Sequence, residues 1–117
     1  MSLSLDILKT MGAFTDAPVE REITWGIGDN EHTATVWVRK LSYITAKSDL
    51  MAISGKGDAI AGRIAASICD EHGKPIFTPD DITGDADPER GALDDGLTMA
   101  LLTVIGEVNG LGKTEEA

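Results

Sequence analysis

Two alternating runs separated by a polar turn constrain this chain more than any other feature. In residues 19–27, Val19, Arg21, Ile23, Trp25 and Ile27 fall on one side, and Glu20, Glu22, Thr24 and Gly26 on the other. Gly28-Asp29-Asn30-Glu31 then reads as a turn. Residues 32–40 alternate again, with Ala34, Val36 and Val38 against Thr33, Thr35, Trp37 and Arg39. Strand side chains repeat at period two, so this pattern predicts a β-hairpin over 19–40. Pairing Ile27 with His32 sets Trp25 opposite Ala34, Ile23 opposite Val36 and Arg21 opposite Val38. The core face then holds Val19, Ile23, Trp25, Ile27, Ala34, Val36 and Val38. Glu20 falls opposite Arg39, and Trp37 falls opposite Glu22 on the polar face. Trp37 is therefore either covered by another segment or partly exposed as an anchor for a subunit or client.

The rest of the chain reads as short helices round this hairpin. Ser4 can cap a helix near 3–12, with Leu5, Leu8 and Met11 on one side. Ser42 can cap another over 44–53, ending near Gly55-Lys56-Gly57. In 60–69, Ile60, Gly62, Ile64, Ala66 and Ile68 are apolar at period two, which favours a strand; the alanines keep a helix open. Asp70-Glu71-His72-Gly73-Lys74 is a turn with Gly73 suited to a left-handed conformation, followed by an edge strand over 75–77. Thr78-Pro79-Asp80-Asp81 opens a helix over 79–84. Asp87-Pro88-Glu89 repeats that grammar and predicts a long helix over 88–109, with a stripe of Leu93, Leu97, Leu101, Val104 and Val108 and a stop at Asn109-Gly110. The expected class is α+β, as one domain over 1–110 with a frayed tail over 111–117.

Charge and composition narrow the function. The chain has 117 residues, one cysteine and a net charge of -10. Residues 70–117 carry 12 acids against 3 bases. Such a surface repels nucleic acid and anionic lipid, so neither is expected as a partner. No apolar run approaches a membrane span, and Met-Ser-Leu-Ser-Leu-Asp lacks a basic n-region, so a cytoplasmic protein is expected. A single Cys69 fits a reducing compartment and a small packing residue.

The motifs that suggest chemistry fail on their own spacing. Gly112-Lys113-Thr114 resembles the end of a P-loop, but Glu107 stands where the first glycine belongs. Asp85, Asp87 and Glu89 have the odd-position spacing of a calcium loop, yet its sixth position is Arg90 and its twelfth Gly96. His32 and His72 fall in turns or strand ends. No catalytic residue, cofactor or metal site is expected. The candidate partner-binding residues are Trp37, Leu97, Leu101, Val104 and Val108.

One stretch carries a resemblance. Ala65-Ala66-Ser67-Ile68-Cys69-Asp70-Glu71-His72-Gly73-Lys74-Pro75-Ile76-Phe77-Thr78-Pro79-Asp80-Asp81-Ile82 resembles the central signature of tail assembly chaperones of long, non-contractile-tailed bacteriophages. Val38-Arg39-Lys40-Leu41-Ser42 looks like that family's strand-to-helix junction, and Ile105-Gly106-Glu107-Val108-Asn109-Gly110-Leu111 like its closing helix. The resemblance implies a non-catalytic holdase in the bacterial host cytoplasm. It would bind the tape measure protein, keep it soluble during tail tube assembly and be absent from the virion. It also implies a longer frameshifted form that recruits tail tube protein, with a slippery site over Leu111-Gly112-Lys113, and allows a homo-oligomer. A structural head-tail connector or tail-tube-end protein is the alternative; a small metal-dependent enzyme is a more distant one.

Overall fold

The computed structural model describes residues 2–15, 17–26, 28–55 and 57–110, and for Ile44 and Ser48 the backbone alone. The architecture is α+β. In chain order the elements are α1 (Leu5–Thr10), β1 (Val19–Trp25), β2 (His32–Val38), α2 (Tyr43–Ile53), α3 (Ala59–Ser67), β3 (Ile68–Cys69), α4 (Pro79–Thr83) and α5 (Asp95–Val108). The three strands form an antiparallel sheet in the order β1-β2-β3.

The hairpin forms with the expected faces but a different register. Trp25 pairs with His32, Ile23 with Ala34, Arg21 with Val36 and Val19 with Val38. Glu20 thus lies opposite Trp37, and Glu22 opposite Thr35. The expected Ile27–His32 pair is replaced, and Ile27 itself lies outside the described residues. The loop explains the shift. Gly26 leaves β1 at φ 105°, and a 3-10 turn over Gly28–Asn30 follows, so the connection is longer than four residues. A Cβ on Gly26 would collide with the Asn30 carbonyl oxygen, so only glycine fits there. A shift of two residues keeps every side chain on its face. Ile23, Val36 and Val38 accordingly face the core.

Residues 60–67 are helix and not the strand that alternation favoured over 60–69. The buried residues Ala61, Ile64, Ala65 and Ile68 recur at three and four, which is helical spacing. Asp58 caps α3, its carboxylate accepting from the Ala61 N–H at 2.8 Å. Alanine at 59, 61, 65 and 66 adds high helix propensity. Only Ile68–Cys69 continues as strand, pairing with Val38 and Trp37. The expected strand over 75–77 reduces to one bridge between Cys69 and Pro75. Proline cannot donate to a ladder, and Thr78 already caps the next helix.

The long helix starts at Asp95 rather than 88. Asp87 caps a turn: its carboxylate accepts from the Glu89 N–H at 3.1 Å and its carbonyl from the Gly91 N–H at 2.9 Å. Leu93 then donates to the Ile82 carbonyl, fixing this loop to α4. The true cap is Asp94, which accepts from the Leu97 N–H at 3.0 Å. Asp94→Ala is therefore expected to cost about 1 kcal/mol, and Asp87→Ala less, in paired urea unfolding curves. The core lies where α5 and α3 meet the sheet: Ile23, Val36, Val38, Ile64, Ile68, Ile82, Leu101, Val104 and Ile105 form one cluster. At its far end Asn109 accepts from the Leu41 N–H at 2.8 Å, tying the end of α5 to the segment after β2.

Candidate partner-binding surface

The Asp70–Pro75 turn is built by one carboxylate. Asp70 Oδ1 accepts from the His72 N–H at 2.8 Å and the Lys74 N–H at 2.9 Å. The Asp70 N–H donates to the Lys74 carbonyl, closing the loop, and Gly73 takes φ 85°. The Arg39 guanidinium donates to the Gly73 carbonyl, fastening the turn to the end of β2. Three residues on, Thr78 and Asp81 form a reciprocal capping box, and Arg90 donates to Asp81 Oδ1 at 2.9 Å. The run from α3 to α4 therefore consists of caps and turns that position backbone.

These bonds lower two carboxyl pKa values from the ordinary 3.8. The Lys74 N–H does most for Asp70, and the Thr78 N–H followed by Arg90 does most for Asp81. Because both values are lower in the folded state, their stabilisation is present above about pH 4 and is lost as pH falls through the folded values. Asp70→Asn combined with Asp81→Asn should therefore flatten the acid limb of stability against pH. An unchanged limb would count against these two groups.

Helix α2 is turned the wrong way round for a core helix. Among its described side chains the inward ones are Thr45, only 2% exposed, with the half-buried Asp49 and Ala52. Asp49 pairs with Arg63 of α3 at 2.8 Å, and Thr45 Oγ1 accepts from the Ser42 N–H at 2.8 Å. Tyr43, Leu50 and Ile53 face solvent at 80%, 66% and 82% exposure. Their spacing would ordinarily mark the buried stripe. Helix α1 is similar in having no buried residue, with Leu5 and Met11 exposed.

The expected contact residues separate into three environments. Leu101 and Val104 are core, 1% and 3% exposed. Leu97 and Val108 are half-buried and pack against that core. Trp37 is half-buried on the opposite sheet face, beside its pairing partner Cys69. Cys69 is a buried free thiol, and burial pushes its pKa up. Sequence reasoning missed the outward side of α2; the signal was the spacing of Tyr43, Leu50 and Ile53 opposite a polar stripe of Thr45 and Asp49. Asp85 accepts from the Thr83 hydroxyl, and among the described residues no group of three or more His, Cys, Asp or Glu is placed to hold a metal ion.

The model of the family described as phage tail assembly chaperone, TAC, matches residues 6–109. The chain belongs to that family. Searches of curated proteins and of solved structures return no match. For this tail assembly chaperone, membership implies a non-catalytic role and interaction with tail proteins. The match spans α1 to the end of α5, so it takes in both the signature turn and the inverted α2.

Proposed function

We propose that this tail assembly chaperone is a stoichiometric holdase for the tape measure protein. It acts in the bacterial host cytoplasm, keeps that long helical client soluble during tube assembly, and is left out of the finished virion. The observation that carries this reading is the outward apolar face of α2, Tyr43, Leu50 and Ile53, on a strongly acidic chain. Apolar side chains held in water cover a client's apolar stripe, while a net charge of -10 keeps the complex dispersed. Trp37, Leu97 and Val108, each half-buried, are secondary contacts. A longer frameshifted form, through Leu111-Gly112-Lys113 outside the described residues, would bring in tail tube protein, and further copies of the chain would join it on the client.

The test is affinity co-purification of the tape measure protein on the tagged chain without added nucleotide, together with mass spectrometry of purified virions. Capture of the tape measure protein and absence from virions support the holdase. Stoichiometric presence in virions would instead make the chain a structural connector.

A further inference from the structure

A groove of about 730 Å³ opens where α2, α3 and α4 meet. Its floor is apolar and low: Gly62, Ala65 and Ala66 of α3 lie between Met51 of α2 and Phe77. Its rim is charged and unbalanced. Asp58, Asp80 and Asp85 line it, against Lys47 among the described residues. A second depression of about 380 Å³ runs along the outer face of α2, lined by Tyr43, Ala46, Leu50 and Ser54, and shares Lys47 and Met51 with the first. The two adjoin through Lys47 and Met51 into one strip, and an apolar floor beside a charged rim is the chemistry that receives one face of an amphipathic helix.

We propose that this strip seats an amphipathic helix whose apolar stripe is flanked by lysine or arginine. The small residues of α3 let a helix approach closely, Met51 adapts to its side chains, and the three rim carboxylates select basic flanks. Charge decides between occupants. A second copy of this chain brings a net charge of -10 to an acidic rim, and its unpacked α1 offers Lys9 offset by Asp6. A basic helix from another protein gains attraction at the same rim. The identity of that protein as the tape measure client rests on the function proposed above; the preference for basic flanks does not.

The experiment uses the full chain and two labelled synthetic helices of about 18 residues, long enough to be helical, in fluorescence anisotropy. Both peptides carry the same leucine stripe; one is flanked by lysine and arginine, the other by glutamate. The basic peptide should bind about tenfold more tightly or better, with the gap closing as salt rises. Asp80→Lys with Asp85→Lys should reverse the preference, and the milder Asp80→Asn with Asp85→Asn should abolish it. Met51→Gln, at an exposed position, should weaken both peptides while leaving the circular dichroism melt unchanged. Equal binding of the two peptides, or a preference that survives the aspartate reversals, overturns the proposal. So does sedimentation showing that Met51→Gln turns an oligomer into a monomer, since a second copy would then fill the strip. Tape measure capture that persists in all three variants removes the groove but keeps the holdase. Peptide selectivity without any tape measure capture by the wild type does the opposite.

Discussion

Leu101→Ala is expected to cost about 2–5 kcal/mol, a large share of what a domain of this size holds. Leu101 is 1% exposed and sits in the cluster that joins α5 to the sheet and to α3. Truncation removes its own burial energy and leaves a cavity lined by aliphatic side chains that are already short. Small domains hold only about 5–15 kcal/mol in total, and with five aromatic residues this chain has few large groups to close the gap. Urea unfolding should show a large fall in midpoint at unchanged slope. Wild-type stability together with lost client binding would instead make Leu101 an exposed contact and contradict the packing of α5.

Gly26→Ala is expected to cost about 3 kcal/mol or to break the hairpin's register. Two costs meet at this position. A non-glycine residue at φ 105° is strained by about 1–3 kcal/mol, and its Cβ would collide with the Asn30 carbonyl oxygen, a backbone atom that cannot swing away. The loop would have to open, and β1 and β2 would lose the connection that sets Trp25 opposite His32. Urea unfolding and cross-strand NMR contacts of Trp25 report both consequences. A variant within about 0.5 kcal/mol of wild type, with the same contacts, would show that the loop tolerates a side chain.

These two positions also show what a single sequence discloses. The faces of the hairpin were legible because burial follows period two, and a shift by two residues leaves burial untouched. The register was not, because it depends on how Gly26 and the 3-10 turn close the loop. Residues 60–69 were ambiguous for a related reason: Ala61 and Ala65 fill the gaps in the alternation, so period two and the helical period fit the same letters. The Asp58 cap breaks the tie. At Thr78-Pro79-Asp80-Asp81 the local signal sufficed, since a capping box needs only its own four residues. Asp87-Pro88 carried the same signal, but Gly91 and the Leu93–Ile82 bond hold the chain in a turn until Asp94. The candidate site was the least legible part. An apolar stripe at helical spacing ordinarily turns inward, and only the structure reveals that α2 buries Thr45 and pairs Asp49 with Arg63 of α3 while Tyr43, Leu50 and Ile53 face solvent.

The proposed client binding rests on the outward apolar face of α2, and a solubility assay tests that role. The tape measure protein is co-expressed with the wild-type chain or with Leu50→Asp/Ile53→Asp, and the soluble fraction is measured after centrifugation. Both substitutions are at exposed positions, so the variant should keep wild-type stability within about 0.5 kcal/mol per site. Soluble tape measure protein is expected with the wild type and sedimented protein with the variant. Equal solubility with a correctly folded variant would show that the outer face of α2 does not hold the client.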